Sequence, residues 1–151
     1  MNYRYLTEAD AAAVLESTYP NARQLPALSS LLECDLLWDQ GAGTLVYVVD
    51  AWIEGTGYGR RLHTCAARNI NGDKDLAFGF SKAVKNSDPE LVAAAADEIL
   101  DMVAAGVTAA DNAAASAAIT TVLSSGLAES PSRKPMFTAL RAQWKTRTSA
   151  V

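Results

Sequence analysis

His63 and Cys65 are the side chains of this sequence best suited to reactive chemistry, and they stand two residues apart. In an extended strand that spacing places both on one face, a workable start for a thiol nucleophile paired with an imidazole or for one edge of a metal site. A metal would need two more ligands; Cys34 and Asp35 can be proposed, although nothing in their spacing demands it. His63 is the only histidine, which removes HExxH sites and two-histidine acid–base pairs. The two cysteines form no CxxC pair, so neither a disulfide framework nor a cysteine-rich zinc module is indicated, and both read as core thiols. Carboxylates occur in groups, Asp73 with Asp75 after the turn signal Asn71-Gly72, and Asp97, Glu98 and Asp101 on a helical segment. A glycosidase-like pair needs burial to separate its two pKa values, and these groups read as solvated acidic faces. Neither GxSxG nor GxxxxGK[ST] is present. No catalytic residue, metal ligand or cofactor is expected from these patterns.

A glycine-rich stretch supplies the one family likeness. Val48-Val-Asp-Ala-Trp-Ile-Glu54-Gly-Thr-Gly57-Tyr-Gly59-Arg-Arg-Leu62 resembles the acetyl-coenzyme A-binding strand–loop–helix of the GNAT N-acetyltransferase superfamily, with its [Q/R]xxGx[G/A] pattern after a central strand. The resemblance implies that the amides around Gly57 and Gly59, at the start of a helix, receive the cofactor pyrophosphate, with Arg60 and Arg61 adding positive charge. Glu54 departs from the pattern, standing where Gln or Arg is usual and opposing a phosphate. The likeness covers fifteen residues and fades beyond Phe80, where this chain continues with helices. Without the family, the same glycines serve as a hairpin connection. The two alternatives separate at residues 60–70, which suit a return strand or three turns of helix.

Charge falls in blocks. Residues 1–59 carry eight acids against two bases, 60–85 six bases against two acids, 86–129 seven acids and no base, and 130–151 five bases and no acid. Such blocks are satisfied by packing against each other or between copies. Arg133, Lys134, Arg141, Lys145 and Arg147 form the most mobile positive group, whose natural partner is an acidic patch on a neighbour. The basic segment Arg60, Arg61, Arg68, Lys74, Lys82 and Lys85 is interleaved with Phe78 and Phe80, the composition of a single-strand binder. The formal charge of −4 and the apolar setting of the phenylalanines weigh against nucleic acid and for a packed sheet face.

These residues must be positioned by a small number of elements. Thr7-Glu8-Ala9-Asp10 reads as a helix start, running to about Ser17, and a short helix follows over Pro26–Leu32. Residues 34–38 suit a strand or helix. Thr44–Ile53 is the clearest strand, apolar on both faces as far as Val49 and so central and covered. Leu76–Phe80 reads as a further strand. From Ser87 the signals are helical: Asp88-Pro89-Glu90 opens one helix, Thr108–Asp111 another ending near Gly126, and Pro135 a last one with Phe137, Leu140 and Trp144 inward. The expected fold is α+β in a single domain of 151 residues. A small, mainly antiparallel sheet spans about residues 34–82, with helices before it (1–33) and after it (87–148).

These features point to a non-catalytic interaction or assembly protein that associates with itself or with a protein partner. Small accessory proteins and virion components of mobile elements often have this profile. The small residues Ala114, Ala115 and Ala118 would permit close helix packing, and Arg133, Lys134, Arg141 and Lys145 would meet an acidic partner. No signal-peptide run opens the sequence and the uncharged stretches are Ala-rich and amphipathic, so a cytoplasmic or otherwise non-secreted protein without a membrane segment is expected.

Overall fold

The computed structural model describes residues 2–6, 17–39, 41–53, 57–66, 73–104 and 113–149, with the backbone alone at 2–6, 35, 48–53 and 57–63. The strands are β1 (Asn2–Leu6), β2 (Arg23–Gln24), β3 (Asp35–Asp39), β4 (Thr44–Ile53) and β5 (Gly57–Ala66). They form one sheet in the order β1-β5-β4-β3-β2, with every neighbouring pair antiparallel. The helices are α1 (Pro26–Leu32), α2 (Lys74–Val84), α3 (Pro89–Val103), α4 (Ala113–Leu123) and α5 (Lys134–Ser149), with a 3-10 turn at Gly126–Glu129. The fold is α+β, and β4 takes the central position that its apolar faces require.

Alternation builds the core side of the sheet. Leu36 and Trp38 on β3, Leu45 and Tyr47 on β4, and Cys65 on β5 are buried at two-residue spacing in the same cluster as the helices. Val46, between the two buried β4 residues, is also fully buried but outside that cluster, so the other face of β4 is covered there too. Gly43, at φ +66, makes the left-handed turn from β3 into β4. The helices add Phe80, Ile99, Met102, Phe137 and Leu140 to the core. Each such side chain contributes about 1.5–3 kcal/mol on burial.

The sheet differs from the sequence-based expectation at both ends. It begins at Asn2 rather than near residue 34, because β1 pairs along its whole length with β5. The N-terminal part therefore holds strands as well as α1. The sheet ends at Ala66, and Leu76–Phe80 lies inside helix α2. There the apolar alternation Leu76, Phe78, Phe80 misleads: the buried residues are Leu76, Ala77, Phe80 and Ser81, a helical spacing, while Asp73 caps the helix by accepting from the Leu76 amide at 3.0 Å. Residues 60–66 resolve as strand. The expected helix start at Thr7, the Asn71-Gly72 turn and the helix start at Thr108 fall outside the described residues.

Helix α1 has no side-chain cap of its own, since Leu25 precedes it. Glu98 on α3 supplies one from across the fold, its carboxylate accepting from the Ala27 amide at 3.1 Å and the Leu28 amide at 2.7 Å. A long-range cap of this kind fixes α1 against α3 while neutralising the positive helix end. Glu98→Ala should cost about 1–2 kcal/mol in urea denaturation, with Glu98→Gln costing less because one oxygen acceptor remains.

Candidate functional site

The described polar groups with the greatest chemical potential meet where the sheet faces α2. The Tyr47 hydroxyl lies 2.9 Å from Asp73 Oδ1 and 3.1 Å from Oδ2, and donates to that carboxylate. Asp73 also accepts from the Leu76 amide, so one carboxylate joins β4 to the first turn of α2. It is 5 % exposed. The solvated face expected for Asp73 and Asp75 therefore holds only for Asp75, which is exposed. Cys65 is buried beside this group, with its thiol 3.2 Å from the Ala66 carbonyl oxygen, to which it donates.

Burial and the Asp73 carboxylate both disfavour further negative charge here. Burial, followed by the Asp73 charge, pushes the Tyr47 phenol far above its ordinary value. The same two causes, in the same order, push the Cys65 thiol up to about 12. A thiol that keeps its proton at neutral pH is a poor nucleophile and a poor metal ligand. His63 stands two residues from Cys65 on β5, in register with Tyr47 on one side and Tyr3 on the other. Asp35 pairs with Val48, which in turn pairs with Leu62, while Trp38 pairs with Leu45, which in turn pairs with Cys65. Cys65 is a free thiol, and no group of three or more metal-ligating side chains occurs among the described residues.

The glycine motif lies in a hairpin. Gly57 pairs with Ile53, Gly59 with Ala51, Arg60 with Asp50 and Arg61 with Val49. The helix that the acetyltransferase likeness requires after the glycines is strand β5 here, so no helix N-terminus stands at Gly57 or Gly59 to receive a pyrophosphate. Residues 54–56 are outside the described set.

Asp97, Glu98 and Asp101 on α3 are partnered, where a solvated acidic face was expected. Arg147, near the end of α5, pairs with the Asp97 carboxylate, lies 3.1 Å from Asp101 Oδ1 and donates to the Asp97 carbonyl at 3.2 Å. Burial raises the Asp101 carboxyl above its ordinary value against the opposing pull of Arg147. Arg141 donates to the Leu123 carbonyl at 3.0 Å and to Glu129 at 3.1 Å. Arg141 and Arg147 of the basic final segment thus pair with acids of their own chain, where a neighbour's acidic patch was expected for the group.

The other expected interaction residues separate. On α4, Ala115 is buried, Ala118 half-buried and Ala114 exposed. The small-residue face is spent in the core, so a charge at Ala115 would report on folding. Lys134 and Lys145 are exposed, whereas Arg133 is 8 % exposed and not mobile. Of the two interleaved phenylalanines, Phe80 is buried on α2 and Phe78 is exposed on it. No helix among the described residues is long and apolar enough to cross a membrane.

Sequence reasoning missed Tyr47 and Asp73 as a pair, although Asp73 three residues before Leu76 is an N-cap spacing that could have marked the helix. No family model, curated protein or solved structure matches this chain.

The raised Tyr47 and Cys65 groups give a pH dependence of stability. Above the ordinary thiol value the unfolded chain releases a proton that the folded chain retains, so this contribution is present below about pH 9 and is lost as pH rises toward 12. The slope is at most about 1.4 kcal/mol per pH unit for each such group. Denaturation at a series of alkaline pH values should show a shallower decline for Cys65→Ala than for the parent chain. Iodoacetamide at pH 8 should leave Cys65 unmodified until the protein unfolds.

Proposed function

We propose that this chain is a non-catalytic assembly protein that associates with further copies of itself through the outer face of α2. Phe78 carries this reading: it is a large apolar side chain left 59 % exposed within a stripe of lysines. Lys74, Phe78 and Lys82 follow at four-residue intervals on α2, Lys85 caps the same side, and all are exposed. The opposite side of the helix, Leu76, Ala77, Phe80 and Ser81, is in the core, so the stripe faces outward. An aromatic ring held out among charges suits the anchor of a contact.

The same chain carries a complementary surface. A groove of about 400 Å³ lies between the end of α2, the start of α3 and α5, lined mainly by Val84, Pro89, Val92, Ala93, Ala139 and Ala142. An apolar cavity of about 150 Å³ already accommodates benzene, so this groove has room for a phenyl ring. Asp88 and Glu90 are exposed on either side of Pro89 and complement the lysines in charge. Stripe and groove are different surfaces, so docking one into the other is heterologous and leads to a ring or a filament. The groups with chemical potential support the non-catalytic half of the proposal, because Asp73, Asp97, Glu98 and Asp101 hold elements together and Cys65 keeps its proton.

Sedimentation velocity over a concentration series tests this. The parent chain should associate at low salt and dissociate at high salt, and Phe78→Ser should stay monomeric with an unchanged circular dichroism spectrum. A parent chain that is monomeric at every concentration would overturn the proposal. So would binding of a single-stranded oligonucleotide by the stripe of a monomeric protein, which would assign the surface to another partner.

A further inference from the structure

Arg133 precedes the first turn of α5 and is 8 % exposed, yet no carboxylate pairs with it among the described residues. Its Nε is enclosed and has no hydrogen-bond partner among the described residues. The acid nearest in sequence, Glu129, is held by Arg141. A buried guanidinium without a counter-ion is costly, and proteins keep such a charge where an anion completes it.

The surroundings favour an anion. Lys134 follows directly and is exposed, and the hydroxyls of Ser130 and Ser132 lie 3.2 Å from each other just before Arg133. The start of α5 adds the positive end of a 16-residue helix. Its amides are already used: Lys134 donates to the Ser130 carbonyl at 2.8 Å, Met136 to Ser81 Oγ at 3.2 Å and Phe137 to the Arg133 carbonyl at 3.1 Å, while Pro135 has no N–H. Side chains must therefore do the recognising, with a guanidinium fork, an ammonium and two hydroxyls. We infer that Arg133, Lys134, Ser130 and Ser132 form a binding site for an oxyanion of the phosphate class, with Arg133 as the buried anchor. The site is independent of the α2 stripe.

Thermal unfolding in inorganic phosphate, against chloride at matched ionic strength, tests the inference. Phosphate at ten times its dissociation constant should raise the midpoint of the parent chain by roughly 3–6 °C. Arg133→Met should lose that response and be at least as stable as the parent without phosphate, because an unpaired charge has left the interior. Lys134→Gln, altered at an exposed position, should fold normally and need several-fold more phosphate for the same shift. A parent chain indifferent to phosphate would overturn the inference, as would a shift of equal size in Arg133→Met or in Lys134→Gln.

Discussion

Asp73 is a carboxylate with two obligations, to the Tyr47 hydroxyl on the sheet and to the Leu76 amide at the start of α2. A buried carboxylate is tolerated only when hydrogen bonds replace its lost hydration, so meeting one obligation alone would leave a charge inadequately solvated inside the protein. The geometry of β4 and the origin of α2 are thereby coupled. Once α2 starts where Asp73 places it, Leu76, Ala77 and Phe80 turn inward, Ser81 reaches the start of α5, and Phe78 is left outside. Burial, and after it the same carboxylate, opposes ionisation of Cys65, which turns a chemically suggestive residue into packing.

Three further polar links follow one pattern, in which an acid of α3 secures another element. Glu98 closes the open end of α1, and Asp97 and Asp101 receive Arg147 from α5. Asp97, Asp101 and Glu129 of the acidic block are matched by Arg147 and Arg141 of the final basic block. Outside those pairs stand the lysine stripe around exposed Phe78 and the enclosed Arg133 with its exposed neighbour Lys134. They are where the chain has interaction capacity left over.

Local signals in the sequence were legible where the structure is local. Pro26 opening α1, Asp88-Pro89 opening α3, and the β-branched and aromatic run of β4 all lead to the observed elements. Legibility failed where distant residues decide. Asn2–Leu6 is a strand because residues 60–64 pair with it. Leu76, Phe78 and Phe80 alternate like a strand, but their fate is decided by a cap and by which residues the core can accept. The acids at 97, 98 and 101 look solvated on a helix wheel, since their partners come from α1 and α5. Arg133 could not be known as buried from a neighbourhood of serines and prolines. For the glycine motif, the local pattern was compatible with helix or strand, and antiparallel pairing with β4 decided it.

A double-mutant cycle between Tyr47 and Asp73, using Tyr47→Phe, Asp73→Ala and the pair in urea denaturation at pH 7, measures the central link directly because the cycle cancels the separate loss of the α2 cap. A buried hydrogen bond to a charged group predicts a coupling of about 1.5–3 kcal/mol. Effects that add to within about 0.5 kcal/mol would mean that the sheet and α2 are positioned independently, contradicting the account.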